Sequence, residues 1–219
     1  MSKLISATLV DYMGSDLTAV NAARVSYGAS SKEMTHRDER LIEFLAKHKH
    51  NTPFAHAQVS LRCTGPIFLA RQLVKHSVGF RWNEVSRRYK DGDAIPIDCF
   101  VPEVVFSRPD KLMTQSAKEM PKDFADDAQH IIKLANDAAI KKYEALIGLG
   151  VAPEQARMVL PQSMIVEWLW TGSLLGWANM YKQRSTEHAQ YEARLFAEEV
   201  NKIMSELFPV CWEALTKQE

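Results

Sequence analysis

Apolar and polar residues repeat along the chain with two different periods, and these periods predict most of its elements. From Ala55 to Cys63 the odd positions are apolar and the even positions polar, which is the period of a half-buried strand. Residues 3–10 predict a first strand. Pro153 opens a short helical turn around Arg157, which Pro161 closes. Helical spacing predicts helices over residues 37–48, 67–76, 123–149, 173–183 and 186–207.

Two stretches lack helical periodicity. Phe80 to Tyr89 is expected to be extended or looped, and residues 90–122, rich in Asp, Lys and Pro, predict an irregular excursion. The long helix over 123–149 is expected to turn one apolar face inward, formed by Ile131, Leu134, Ala138, Tyr143 and Leu146. Strands among several helices predict an α+β fold, with a mixed or antiparallel sheet packed by helices in a single domain over residues 1–219.

Composition narrows the class of protein. With 219 residues and 46% hydrophobic content, the chain is long enough for one sizeable core. Its 27 basic and 27 acidic residues balance, so no overall charge favours nucleic acid or a membrane surface. The N-terminal stretch is too short and polar for a signal peptide, and no stretch approaches the roughly 18 apolar residues of a membrane span. We therefore expect a cytoplasmic protein that binds neither membrane nor nucleic acid.

The three cysteines, Cys63, Cys99 and Cys211, are odd in number and have no paired spacing, which argues against a disulfide framework. Cys63 lies on the apolar side of its predicted strand, Cys99 lies beside Phe100, and Cys211 lies between Val210 and Trp212. In such apolar surroundings a thiol stays protonated. We interpret all three as core residues and not as nucleophiles.

Recognised metal and phosphate motifs are missing from the sequence. It contains no H-E-x-x-H, C-x-x-C, G-x-G-x-x-G or P-loop pattern. The histidines at 48, 50 and 56 fit a helix C-terminus followed by a polar strand face, so no metal site is predicted.

The densest polar cluster is the segment RQLVKHSVGFRWNEVSRRYK, residues 71–90, with six basic residues against one acidic residue. If its second half is extended, Glu84, Ser86 and Arg88 point the same way. A carboxylate, a hydroxyl and a guanidinium together suit a phosphorylated sugar. The alternative is a solvated basic loop with Trp82 and Tyr89 in the core, and charge and spacing alone leave both open.

The same segment is similar to the signature of flavin-dependent thymidylate synthases, R-H-R followed by seven residues and S. Three other segments resemble this family in the same order. They are AARVSY at 22–27, HNTPFAH at 50–56, similar to the family's H-x-[ST]-P-F-E-H, and ARMVLP followed by WTGSLLGWANMYKQRSTEHAQYE within 156–192. The resemblance spans most of the chain apart from residues 90–150.

The resemblance implies a methyltransferase of nucleotide biosynthesis that converts dUMP to dTMP without a cysteine nucleophile. It implies FAD as cofactor, methylenetetrahydrofolate as carbon donor and NADPH as reductant. It also implies a homotetramer whose active sites are built from several subunits.

By position, the resemblance also assigns residues. Arg184 falls at the arginine that activates the uracil ring and is the expected catalytic residue. The positions expected to contact dUMP are Gln72, Lys75, Glu84, Ser86, Arg87, Arg88, Arg157 and Arg184. Those expected to contact the flavin are His50, Thr52, Lys75, His76, Ser77, Glu84, Ser173, Asn179 and His188.

This chain departs from the family pattern at several positions. The R-H-R triplet is Lys75, His76, Ser77, and eight residues instead of seven separate Ser77 from Ser86. Ala55 replaces a family Glu, and residues 173 and 175 are Ser and Leu where Asn and Arg are usual. A lysine cannot reproduce the bidentate arginine fork, so these changes affect the flavin contacts most.

Two other functions stay open at this point. One is a nucleotide or single-stranded RNA binding module in which Phe80, Trp82 and Tyr89 stack on bases, although zero net charge counts against it. The other is a family member that binds dUMP but has lost its flavin.

Overall fold

The computed structural model describes residues 4–86, 97–110 and 118–217, and four strands and eight α-helices lie within these ranges. The strands form one antiparallel sheet in the order β1-β2-β4-β3, which confirms the predicted α+β class. The strands are β1 (Ser6–Met13), β2 (Gln58–Pro66), β3 (Phe80–Glu84) and β4 (Ile165–Ser173). The helices are α1 (Asp16–Arg24), α2 (His36–Lys47), α3 (Ile67–Leu73), α4 (Lys122–Gly148), α5 (Pro153–Ala156), α6 (Leu174–Arg184), α7 (Tyr191–Leu207) and α8 (Pro209–Thr216).

The chain divides into two compact units, each made of separate segments. Unit 1 comprises Met1–Ile5, Thr64–Leu73 and Glu84–Trp168, and unit 2 comprises Ser6–Cys63, Val74–Asn83 and Leu169–Glu219. That residues 1–219 form a single domain stays a prediction.

Unit 2 has an aromatic core that holds the segment before β3 in place. The ring of Phe80 lies 4.6 Å from that of Trp170 and 4.9 Å from that of Trp177, centroid to centroid. Gly172 allows this packing, because a Cβ atom there would lie 2.2 Å from the Phe80 ring. The Ser173 amide donates to the carbonyl of Gly79 at 3.1 Å. The turn that carries residues 76–79 is therefore fixed against β4 and the start of α6.

The two central strands of the sheet, β2 and β4, differ in how clearly the sequence predicts them. The predicted strand over 55–63 exists as β2, three residues later, because a short 3₁₀ turn at Thr52–Ala55 precedes it. No element was predicted over β4, whose sequence IVEWLWTGS has apolar residues on both faces. Its burial alternates in the same way as that of β2.

The predicted inward face of α4 is wrong for most of its residues. Tyr143 is fully buried, but the side chains of Ile131 and Leu134 are 66% and 55% exposed. The helix instead buries Asn136, whose side chain donates to the Phe100 carbonyl at 3.4 Å and accepts from the Ser163 hydroxyl at 2.6 Å. The face that α4 buries therefore runs through Asn136 and Tyr143, and not through Ile131 and Leu134.

Candidate functional site

Unit 1 contains a cavity of about 570 Å³ that brings together three residues predicted to bind dUMP, namely Glu84, Ser86 and Arg157. Glu84 is the last residue of β3, and the amide of Val85 then donates to the carbonyl of Glu167 on β4 at 2.9 Å. Ser86 follows directly. Strand pairing therefore places the carboxylate and the hydroxyl at the same cavity.

Arg157 reaches this cavity from the 3₁₀ turn Arg157–Val159 that follows α5. Its Nε donates to the carbonyl of Glu154 at 3.3 Å, which leaves the Nη atoms for other acceptors. The described lining has two carboxylates, Glu84 and Glu154, against this one guanidinium. Arg87 and Arg88, the other expected phosphate partners, lie outside the described residues.

Gln72 lies in the last turn of α3 and does not line this cavity. Its Oε1 atom is buried and has no hydrogen-bond donor within the described residues. A buried amide oxygen without a donor costs about 1 to 3 kcal/mol. The predicted contact between Gln72 and dUMP stays a prediction.

In unit 2, the structure joins the expected catalytic residue to the expected flavin residue His76. Arg184, the last residue of α6, donates from Nε to Nε2 of His76 at 3.0 Å. Because Nε2 accepts, the proton of the neutral imidazole is on Nδ1. Burial, and secondarily the charge of Arg184, lower the pKa of His76 to about 4. His76 is therefore neutral at neutral pH and fixes the guanidinium of Arg184 through one nitrogen.

This depressed pKa makes the stability of the protein depend on pH. An unfolded histidine titrates near 6.5, whereas His76 in the fold titrates near 4. Between these values the unfolded chain binds more protons, so we expect the free energy of unfolding to fall as the pH drops from about 6.5 to about 4. Urea unfolding across this range should show the loss in the wild type and a smaller loss in His76→Gln. Equal losses in both proteins would contradict the assignment to His76.

A second cavity in unit 2, of about 870 Å³, brings together His50 and Thr52, two of the expected flavin residues. It lies among the end of α1, the 3₁₀ turn Val25–Tyr27, α2 and the 3₁₀ turn Thr52–Ala55. Arg24, Arg37 and Lys49 also line it, and none of its described lining residues is acidic. Its volume and charge suit an anionic ligand of cofactor size.

The other expected flavin residues are not among those lining this cavity. Ser173 is buried and its hydroxyl accepts from the amide of Gly176 at 3.1 Å as the N-cap of α6. His188 is exposed and lies 3.6 Å from Glu187. Lys75, Ser77 and Asn179 are exposed. Their flavin contacts stay predictions.

Arg24, which lines the second cavity, belongs to a buried polar cluster that the sequence patterns did not predict. Asp38 is 1% exposed and accepts from Arg24, from the hydroxyl of Ser31 at 3.2 Å and from the amide of Thr35 at 3.1 Å. Thr35 and Asp38 together form the capping box of α2. The sequence contains this signal, because a T-x-x-D pattern at the start of a helix predicts a capping box.

The thiols of Cys63 and Cys211 are buried, and burial raises the pKa of both. Cys99 is half-buried, so its predicted place in the core holds only in part.

Over the described ranges, no three His, Cys, Asp or Glu side chains gather where they could hold a metal ion. Within those same ranges, none of the helices has both the length and the apolar character to cross a membrane.

Comparisons with known proteins place this chain in a family. Residues 8–210 match the family described as thymidylate synthase complementing protein. The flavin-dependent thymidylate synthase of Kosmotoga olearia is 39% identical over 211 residues, covering 94% of this chain and 87% of the relative. That of Thermosipho africanus is 34% identical over 209 residues, covering 95% and 90%.

The fold of this chain is also similar to that of a solved structure. The UMP/dUMP methylase PolB from Streptomyces cacaoi, bound with 5-Br UMP, aligns with a TM-score of 0.86 at 27% identity, covering 97% of this chain and 93% of that one. The same methylase bound with 5-Br dUMP aligns with a TM-score of 0.83. By this match over nearly its whole length, the chain belongs to the family of flavin-dependent thymidylate synthases.

Proposed function

We propose that this protein converts dUMP to dTMP, taking the carbon from methylenetetrahydrofolate and the reducing equivalents from NADPH through FAD. The observation that carries the proposal is the hydrogen bond between Arg184 and His76. The resemblance assigns one of these residues to the uracil ring and the other to the flavin. Their direct contact supports a site in which the nucleotide and the flavin lie side by side.

The cavity in unit 1 supports the nucleotide part of the proposal. Arg157 offers charge-assisted hydrogen bonds to a phosphate, Ser86 a hydroxyl donor, and Glu84 an acceptor for a ribose hydroxyl. The single-stranded RNA alternative loses support, because Phe80 is buried in the aromatic core and does not offer a free ring face to a base.

The residues around the second cavity fit a flavin. Its lining combines the polar side chains of His50 and Thr52 with cationic groups and no carboxylate among the described residues, which suits an anionic dinucleotide. When bound, the reduced flavin supplies the hydride that completes the methyl group. The chain's own share is to bind both ligands and to hold Arg184, through His76, where charge develops on the uracil ring.

No cysteine is required as a nucleophile in this proposal. The buried thiols of Cys63 and Cys211 have raised pKa values, which disfavours the thiolate. Cys99, which is half-buried, pairs through a β-bridge with Met164 and does not line either cavity.

We also propose that the protein works as a homotetramer in the cytoplasm. The exposed apolar side chains of Phe124, Ile131 and Leu134 along α4 support association, because such a face is uncommon on a monomer. The homotetramer would let several subunits contribute to each site, as the family resemblance implies.

A second candidate activity is methylation of UMP, favoured by the likeness to a methylase whose structure holds 5-Br UMP. Purified protein with added FAD should retain flavin absorption after gel filtration. It should then form dTMP from dUMP, NADPH and methylenetetrahydrofolate. A parallel reaction with UMP tests the second activity. Retained flavin with no methylated product from either nucleotide would overturn the proposal, and a protein that keeps no flavin would support the flavin-free alternative.

A further inference from the structure

An exposed apolar stripe runs along α4, on a different side of the helix from the buried Asn136 and Tyr143. Its members are spaced three, four or seven residues apart, which places them along one face, as in a helix that packs against another helix. All of them are exposed, namely Phe124, Ile131, Leu134, Ala135, Ala138 and Ala145. At 1.5 Å per residue, the 27 residues of α4 span about 40 Å. The stripe therefore suits a long partner helix.

Large and small side chains are separated along this stripe. Phe124 and Ile131 precede Leu134, and Ala138 and Ala145 follow it at nearly the same distances along the helix. A second α4 that runs antiparallel, with a two-fold axis near Leu134, places Ile131 against Ala138 and Phe124 against Ala145. Large side chains then fill the space left by small ones, whereas a parallel pair would bring large against large and small against small.

The charged residues beside the stripe favour the same direction. Asp127 and Lys141 each lie seven residues from Leu134, in the same row along the helix. In the antiparallel pair, Asp127 of each copy faces Lys141 of the other. A parallel pair would instead bring Asp127 against Asp127 and Lys141 against Lys141, which is unfavourable.

The two ends of α4 also have opposite charge. Its first two turns contain three carboxylates and one cation, and its last two turns contain two cations and one carboxylate, namely Lys122, Asp123, Asp126 and Asp127, and Lys141, Lys142 and Glu144. Lys133 and Asp137 have opposite charges and lie farther round the helix, beyond the stripe. An antiparallel pair therefore places the acidic start of each helix beside the basic end of the other.

We propose that α4 packs antiparallel against α4 of a second copy of this chain, about a two-fold axis near Leu134. The same axis satisfies the large and small side chains and the charges, so the surface is complementary to itself. The inference rests on the proposed homotetramer and deepens it, because it names the surface and the direction of one interface.

Disulfide cross-linking tests the position of the axis. Under mild oxidation, Leu134→Cys is expected to form a disulfide between two copies, because the two new thiols lie beside the axis. Lys133→Cys is the matched control, since this exposed neighbouring position lies about 100° round the same helix and should stay uncross-linked. The wild type, with its three native cysteines, gives the baseline on a non-reducing gel. Equal cross-linking at both positions, or none at position 134, would overturn the inference.

Charge reversal tests the direction of the pairing. Asp127→Lys and Lys141→Asp are each expected to raise the dissociation constant of the assembly roughly tenfold, because each turns two symmetry-related attractions into repulsions. The double variant should return the constant close to that of the wild type. Asp137→Lys reverses a charge beyond the stripe and should have little effect. Sedimentation equilibrium measures all four variants, and a double variant that assembles more weakly than either single one would contradict antiparallel pairing.

The mass of the wild type in solution separates this inference from the proposed function. A tetramer that fails to cross-link at position 134 overturns the pairing of α4 and leaves the homotetramer standing. A dimer that does cross-link there supports the pairing and overturns the homotetramer, and a monomer overturns both. Formation of dTMP is assayed independently of assembly.

Discussion

Replacing Arg184 by alanine is expected to lower dTMP formation at saturating dUMP about a hundred- to a thousandfold, with fold and flavin retained. The reason is that negative charge develops on the uracil ring as its C5 becomes nucleophilic. A donor already held in place by His76 stabilises that charge without reorganisation at the moment of reaction. Arg184 is only partly buried, so its removal leaves no large cavity in the core.

Two further variants of α6 test this interpretation. Arg184→Lys should recover part of the activity, since lysine keeps the charge but not the planar fork, which can donate to His76 and to a second acceptor together. Lys182→Ala removes an exposed cation from the same last turn and should leave turnover unchanged. Turnover of Arg184→Ala close to that of the wild type would reduce Arg184 to a residue at the end of a helix.

Replacing Asp38 by alanine is expected to reduce the free energy of unfolding by about 3 kcal/mol. The substitution leaves the partly buried guanidinium of Arg24 without its partner and removes the capping box of α2. Urea unfolding measures the change. Glu39→Gln, one residue along the helix at a half-exposed position, is the control and should cost far less.

The same carboxylate predicts a second pH dependence, at lower pH than that of His76. Hydrogen bonds from the Thr35 side chain, and further contributions from the Thr35 amide and Arg24, lower the pKa of Asp38 although its burial opposes this. A lowered folded pKa gives stability that is present above the unfolded value of about 3.9 and is lost as the pH falls through the folded value. A loss as large in Asp38→Ala as in the wild type below about pH 4 would contradict this role.

Local sequence determined those elements whose own residues show both a hydrophobic periodicity and a capping or stop signal. The start of α2 follows from Thr35 and Asp38 as its capping box, and its amphipathic spacing places Arg37, Leu41 and Phe44 on one face. The alternation over β2 likewise predicts a strand without any knowledge of its neighbours. The family resemblance of residues 71–90 was enough to propose His76 as a site residue, and that of the segment within 156–192 was enough to propose Arg184.

Tertiary structure decided what depends on partners far away in sequence. The first turn of α8 was not predicted, because its amides donate to a carboxylate 194 and 195 residues away, that of Asp16 at the start of α1. β4 was not predicted, because both its faces are largely apolar and its sequence therefore shows no alternation with a period of two. The contact between His76 and Arg184 spans 108 residues. No local pattern encodes such a contact, since the packing of Phe80 against Trp170 and Gly172 and the hydrogen bond from the Ser173 amide to the Gly79 carbonyl bring the two segments together.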